Sequence, residues 1–313
     1  MKNRIAMYLG GLVFLLAFGE IRAQGSDGLV GRWDLEVQYG ERWLPSWLEV
    51  EQSGNKALIG HFVSIEGSAR PIAEVHLKDG LFSFSIPPQW NGSQYMQLTG
   101  AVNARGMEGH ILDHSGQPHV FRGTRAPQLL HDAPLAWSEP RSLLSSDNLN
   151  GWTADAGEDE NQWEVRDGVL KNPQSGVNLM TTEKFGDFKL HIEFRIPEGS
   201  NSGVYLRGRY EVQVEDSRGK EPSSHFLGGI YGFLTPNENV AKNPGEWQVY
   251  DITLVGRRVT VEANGKTIIY NQIIPGITGG ALDSREGEPG PILLQGDHGP
   301  VEYRNITIAT PLP

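Results

Sequence analysis

The chain has 313 residues, a formal net charge of −11 and no cysteine. The lack of cysteine excludes a disulfide scaffold and thiol chemistry, so the stability of the fold must come from packed cores. The excess of acidic residues disfavours contact with phosphate backbones and anionic membranes, and we expect no nucleic-acid partner.

The first 23 residues have the composition of a secretory signal peptide. Lys2 and Arg4 precede an apolar run at 5–18, and Ala23 offers a small-residue cleavage site. The run is shorter than the roughly 20 residues that a membrane-spanning helix needs. We therefore expect a signal peptide at 1–23, no membrane span, and a protein exported to the periplasm or secreted.

Residues 29–127 show short alternating stretches separated by turn signals at 53–55, 78–80 and 91–92. This pattern, with little helical periodicity, predicts an N-terminal β domain that is a barrel or a sandwich. Gly31-Arg32-Trp33 is similar to the Gly-x-Trp near the start of lipocalin-type barrels, although an ordinary core tryptophan explains it better.

A proline-containing stretch without periodicity, 128–142, predicts a linker. A second alternating region, residues 143–310, follows it and predicts a second β domain. Within that region the apolar residues between Phe188 and Ile196 alternate with polar ones, as in a strand with one buried face. Asn264-Gly265 predicts a hairpin between strands at 258–263 and 266–270. The fold class is therefore all-β.

One run of residues, Val204–Glu215, carries hydrogen-bonding groups at every second position. Read as a single strand, it places on one face Tyr205, Arg207, Arg209, Glu211, Gln213 and Glu215. An aromatic ring, guanidinium groups, carboxylates and an amide suit a carbohydrate ligand. The alternative is an edge strand that carries charge to prevent aggregation.

Several blocks resemble the 3-keto-disaccharide hydrolase family. They are Glu193-Phe194-Arg195, the run 201–208, Tyr210-Glu211-Val212-Gln213-Val214, Gly229-Ile230-Tyr231-Gly232 and Gln295-Gly296-Asp297-His298-Gly299. The resemblance implies a concanavalin A-like jelly-roll β-sandwich over residues 143–310. The chain departs from the family pattern at Glu215, where an apolar residue is expected, and at Gly296, which looks inserted.

The resemblance also implies a reaction. Family members are thought to cleave glycosides whose C3 hydroxyl a separate sugar 3-dehydrogenase has oxidised, so such a dehydrogenase is an expected pathway partner. A C3 ketone acidifies the C2 hydrogen, and a base can remove it so that the C1 aglycone leaves by β-elimination, with later hydration. This route needs a base, a group that binds the enolate oxygen, and an acid near the leaving group.

Candidate residues follow from the matched blocks. The predicted catalytic residues are Glu211, His298 and Arg207, and the base is either Glu211 or His298. The predicted substrate-binding residues are Glu193, Arg195, Tyr205, Gln213, Tyr231 and Asp297. No motif points to a cofactor. Gln213 and Asp297 could hold a divalent cation, and the sequence leaves the need for metal open.

Two other functions compete with this prediction. The first is a laminarinase-like glycoside hydrolase, in which Glu211 and Glu215 would be the catalytic pair on one strand. The second is a carbohydrate-binding module without activity, since sandwich folds host both uses.

Overall fold

A computed structural model of the chain describes residues 28–89, 92–157 and 160–312. The predicted signal peptide lies outside these residues. The described residues form 22 β-strands and contain no α-helix, which confirms the all-β prediction. Within the described part of the chain, no helix has the length and hydrophobicity to cross a membrane.

The N-terminal domain is one antiparallel sheet. Its strands are β1 Gly31–Tyr39, β2 Arg42–Ser53, β3 Ala57–Val63, β4 Arg70–Ile72, β5 His76–Lys78, β6 Leu81–Ile86, β7 Met96–Asn103, β8 Gly106–Leu112 and β9 Pro118–Arg125. Their order is β4-β3-β2-β1-β9-β8-β7-β6-β5, and β4 at one end contacts β6, the second strand from the other end. The sheet therefore curls into an open barrel around a core that includes Trp33 and Phe121.

The C-terminal domain is a sandwich of two antiparallel sheets. Its strands are β10 Arg141–Ser142, β11 Trp152–Ala154, β12 Glu164–Arg166, β13 Val169–Asn172, β14 Leu179–Thr181, β15 Phe188–Arg195, β16 Asn201–Leu206, β17 Tyr210–Glu215, β18 Gln248–Val255, β19 Arg258–Ala263, β20 Lys266–Ile273, β21 Leu293–Leu294 and β22 Val301–Ala309. One sheet runs β12-β13-β22-β15-β18-β19-β20, with β10 beside β22, and the other runs β11-β14-β21-β16-β17. This confirms the predicted β-sandwich preceded by a smaller β domain.

Alternation in the sequence explains how the sandwich closes. In β15, the side chains of Phe188, Leu190, Ile192 and Phe194 are buried between the sheets while the residues between them face outward. The predicted hairpin joins β19 and β20, and its turn residues Asn264 and Gly265 have φ angles of 52° and 79°.

The two domains pack directly against each other. Trp47 of β2 is fully buried among residues of the sandwich core, and its ring meets the edge of Phe233 at a centroid distance of 5.3 Å. On the same side, the backbone N–H of Gly280 donates to the carbonyl of Ile65 at 3.0 Å. The loop that follows β3 is therefore held against the sandwich.

Candidate active site

A cavity of about 570 Å³ lies where the barrel meets the five-stranded sheet. Sandwich residues form most of its wall: Asn178, Asn201, Tyr205, Glu211, Gln213, Tyr231, Gly279, Gly280, Ala281, Gln295, Asp297 and His298. The barrel contributes Arg42, Leu44, Pro45, Ile65, Glu66 and Gly67. Six of the nine predicted site residues thus meet in one cavity, namely Tyr205, Glu211, Gln213, Tyr231, Asp297 and His298.

The central part of the site is a hairpin, where the sequence predicted one continuous strand. β16 and β17 pair with Tyr205 opposite Glu211 and with Gly203 opposite Gln213. The chain reverses between the strands because Arg207 and Gly208 both have positive φ angles, 54° and 66°. The reversal keeps Tyr205, Glu211 and Gln213 on one face. These three side chains are therefore grouped as expected, although they lie on two strands and not on one.

Glu211 is a buried carboxyl group at the bottom of the cavity, with 3% of its surface exposed. A Cβ atom at Gly203 on the neighbouring strand would come within 2.3 Å of Glu211 Oε1, so only glycine leaves room for the carboxyl group. Burial raises the pKa of Glu211 to about 8, although the Tyr205 hydroxyl and the positive charge on His298 act in the opposite direction. At pH 7 this side chain is therefore mostly protonated and can donate a hydrogen bond.

The Tyr205 hydroxyl connects Glu211 to the rest of the cavity. It lies 3.0 Å from Glu211 Oε2 and 3.0 Å from the carbonyl oxygen of Gly279, and Gln295 Nε2 is 3.5 Å away. Because the hydroxyl has one hydrogen, it can donate to only one of the two acceptors at a time. When Glu211 is protonated, it can donate to Tyr205 while Tyr205 donates to Gly279. When Glu211 is ionised, the Tyr205 hydrogen can turn to the carboxylate.

His298 and Asp297 form a hydrogen-bonded pair at the rim of the cavity, each with 49% of its side chain exposed. The contact joins His298 Nδ1 to Asp297 Oδ1, which leaves Nε2 free to accept a proton. The hydrogen bond with Asp297 and the negative charge of that carboxylate raise the pKa of His298, while desolvation opposes the rise. The pair has the arrangement of a general base held by a carboxylate.

The segment that carries this pair is fixed by the strands beside it. The backbone N–H of Gln295 donates to the Gly203 carbonyl at 2.9 Å, and the N–H of Gly296 donates to Asn178 Oδ1 at 2.8 Å. A Cβ atom at Gly296 would lie 2.2 Å from the carbonyl oxygen of Val177. The residue that looked inserted therefore passes where a side chain has no room, and His298 still lines the cavity.

Two buried acceptors on the cavity wall lack a hydrogen-bond donor among the described residues. They are Asn201 Oδ1 and Gln295 Oε1. An unsatisfied buried acceptor costs free energy, and a small shift of either amide that let it accept from a donor on a ligand would recover that cost. Sugar hydroxyl groups are donors of this kind. The side-chain amide of Gln213, in contrast, already donates to the carbonyl of His225 at 3.3 Å.

The wall formed by the barrel was missed by reasoning from the sequence. Arg42 begins β2, and Ile65, Glu66 and Gly67 follow β3. No motif distinguishes these residues in the sequence, and only the packing of the two domains brings them to the cavity. Arg42 is the one guanidinium group among the described residues that line it.

The structure does not bring Glu193, Arg195 and Arg207 to this cavity. The first two lie on β15 in the other sheet, where Glu193 binds Arg304 at 2.7 Å and Arg195 binds Glu302. Arg207 is buried in the hairpin turn, and its Nη2 donates to the Tyr210 hydroxyl at 3.1 Å and to the Gly256 carbonyl at 2.9 Å. All three side chains are thus engaged with protein groups away from this cavity, and their contact with substrate stays a prediction.

The carboxylate pair of the laminarinase-like alternative is not assembled either. Glu211 lines the cavity, whereas Glu215 lies outside it, with its carboxylate 3.4 Å from Lys220. Among the described residues, no three His, Cys, Asp or Glu side chains are grouped so that they could hold a metal ion. A divalent cation at Gln213 and Asp297 stays a prediction.

Comparison with known proteins identifies one family. Residues 139–309 match the model of the 3-keto-alpha-glucoside-1,2-lyase-like domain, which is more than half of the chain. No curated protein matches the sequence.

Several solved structures are similar. A protein from Parabacteroides distasonis ATCC 8503 assigned as a glycosyl hydrolase is 29% identical, with a TM-score of 0.48 over 58% of this chain and 94% of its own. A second protein of the same organism and assignment is 25% identical, with a TM-score of 0.44 over 55% of this chain and 100% of its own. The carbohydrate-binding module CBM66 from Bacillus subtilis is 15% identical, with a TM-score of 0.34 over 51% of this chain and 96% of its own.

Proposed function

The chain belongs to the 3-keto-alpha-glucoside-1,2-lyase-like domain family and is therefore carbohydrate-active, and we propose that it cleaves 3-keto-glycosides by β-elimination followed by hydration. The observation that carries this proposal is the pairing in one cavity of a neutral buried acid, Glu211, with a carboxylate-bound imidazole, His298. Elimination next to a ketone needs these two groups and does not need a pair of ionised carboxylates.

In the proposed reaction, His298 is the base. Its free Nε2 removes the hydrogen from C2 of the sugar, and the electrons of that C–H bond form the enolate of the C3 ketone. When the enolate collapses, a C1=C2 double bond forms and the C1–O bond breaks, with its electrons staying on the aglycone oxygen. Water then adds across the double bond, giving hydroxyl at C1 and hydrogen at C2, so that the net change is hydrolysis.

Glu211 is the acid in this scheme. A carboxyl group with a pKa of about 8 holds its proton at neutral pH and can give it to the departing aglycone oxygen. Tyr205 keeps a hydrogen bond to Glu211 in both protonation states, so the carboxylate formed after proton transfer still accepts a hydrogen bond. Arg42 is the cation available to bind the enolate oxygen or a hydroxyl group.

Two further parts of the proposal concern the cell. The signal-peptide composition of residues 1–23 supports an enzyme that acts in the periplasm or outside the cell. Because the substrate carries a ketone at C3, an oxidation must precede cleavage, and a sugar 3-dehydrogenase is the class of enzyme that performs it.

The first experiment compares a 3-keto-glucoside with the unoxidised glucoside. We expect purified protein to consume only the keto sugar, and to introduce deuterium at C2 when the reaction runs in D₂O. Cleavage of the unoxidised glucoside would favour the glycoside hydrolase alternative, and binding of either sugar without turnover would favour a binding module.

A second experiment separates the roles of the two residues. Glu211→Gln should reduce turnover strongly for an alkyl aglycone and much less for 4-nitrophenol, which leaves without an acid. His298→Asn should reduce turnover of both substrates equally, because every substrate must lose its C2 hydrogen. If Glu211→Gln were equally damaging for both aglycones, Glu211 would not be the leaving-group acid.

A further inference from the structure

A second cavity, of about 420 Å³, opens in the N-terminal barrel beside the candidate active site. Ile65 and Glu66 line both cavities, so one short segment of chain separates them. The second cavity also contains Tyr39, Pro88 and Met96, which give it an apolar wall. Its volume falls within the range of about 300–1,000 Å³ that is typical of small-molecule sites.

Arg70 is a buried cation in this cavity, with 8% of its surface exposed. Its Nη1 donates to the carbonyl of Pro87 at 3.2 Å and approaches the sulfur of Met96 at 3.5 Å. The guanidinium carbon lies 5.8 Å from the centre of the Phe62 ring. One end of the guanidinium group is thus held in place by neutral partners.

The other edge of the guanidinium group has no partner among the described residues. Arg70 Nε is buried without an acceptor, no hydrogen bond from Nη2 to a described residue occurs, and no carboxylate of the described residues lies within 4.0 Å of the group. Nε is shielded from solvent, so Nη2 is the nitrogen that a carboxylate in the cavity can reach. A buried charge without a partner is costly, so this edge indicates a ligand.

The acidic residues nearby do not fill this role. Asp113 already accepts hydrogen bonds from Ser115 and from the backbone N–H of Gln117, and it contacts His119 at 3.1 Å. Glu66 is exposed at the boundary between the two cavities. Burial lowers the pKa of Arg70, and the neighbouring Tyr39 acts in the opposite direction.

We propose that the barrel holds a second ligand site, in which the free edge of Arg70 binds the carboxylate of a small ring-bearing acid whose ring packs against Tyr39, Pro88 and Met96. Two sources share this chemistry, a sugar acid and an aromatic acid. The site does not depend on turnover in the neighbouring cavity, and it stands whether or not the proposed reaction is confirmed.

The test is binding in the absence of any keto sugar. Glucuronate and benzoate would be titrated into the full-length protein by calorimetry, with glucose and benzamide as uncharged counterparts. We expect saturable binding of at least one acid and none of its uncharged counterpart. The acid that binds more tightly identifies the source of the ligand. If neither acid binds, or if an acid and its counterpart bind equally, the proposal is overturned.

Variants locate the site. Arg70→Met should weaken binding of the acid at least 10-fold, and Arg70→Lys should weaken it less because the positive charge remains. Arg105→Met removes an exposed arginine of the same domain and should leave binding unchanged. Unchanged binding in Arg70→Met would overturn the proposal. If Arg70→Met does not fold, the Arg70→Lys variant and the comparison of benzoate with benzamide still test whether Arg70 binds the acid.

Discussion

Glu211→Gln should change how the stability of the protein depends on pH. The pKa of Glu211 rises from an ordinary value of 4.5 to about 8 because burial disfavours its ionised form. The folded protein therefore keeps a proton that the unfolded chain releases, so stability is greatest below pH 4.5 and falls as pH rises to about 8. Between pH 5 and pH 8 this one group should lower the free energy of unfolding by about 3 to 4 kcal/mol, since each unit of pH contributes at most about 1.4 kcal/mol.

Glutamine has the shape of protonated glutamate and does not titrate, so the variant should lack this loss. We expect the difference in Tm between Glu211→Gln and the parent protein to grow by about 6 to 16 °C from pH 5 to pH 8, in favour of the variant. Differential scanning calorimetry at several pH values measures it. Glu215→Gln, which removes a carboxylate from the same strand outside the cavity, is the control and should follow the parent curve. Parallel curves for Glu211→Gln and the parent would refute the assignment of a neutral Glu211.

Three other predictions concern activity and domain packing. Turnover of a 3-keto-glucoside should rise with pH through the pKa of His298, which lies above its ordinary value of 6.5, and fall above about 8 as Glu211 loses its proton, which a pH–rate profile will show. Gly203→Ala should displace the Glu211 carboxyl group and lower turnover about 100-fold while the circular dichroism spectrum stays that of the parent. Trp47→Ala should destabilise the protein by about 3 to 5 kcal/mol in urea denaturation, because it empties a fully buried position between the domains.

The parts of the fold and site that could be predicted are those set by local patterns. Alternation identified β15 with its correct buried face, and Asn264-Gly265 fixed a hairpin, because positive φ at both positions is a local requirement. The side chains of β16 and β17 that meet in the cavity were grouped correctly, because alternate residues stay on the same face of the sheet after the turn between the two strands.

The parts that could not be predicted depend on contacts between distant segments. The alternating pattern continues through Arg207 and Gly208, so it gave no sign that the chain reverses there. Glu193 and Arg195 were predicted to bind substrate, and only the pairing of β15 with β22 shows that they face Arg304 and Glu302. Arg42 reaches the site through the packing of one domain on another, which no spacing in the sequence encodes.

The packing of the domains also bears on the chemistry of the site. The loop after β3 lies on the cavity wall and is tied to the sandwich by the hydrogen bond between Ile65 and Gly280. Desolvation is the largest cause of the raised pKa of Glu211. The groups in contact with this side chain, Tyr205 and the backbone at Gly203, belong to the sandwich, so the protonated form of Glu211 is set within that domain. In the proposed mechanism the N-terminal domain therefore acts on the substrate, because it brings to the cavity Arg42, the cation that can bind the enolate oxygen.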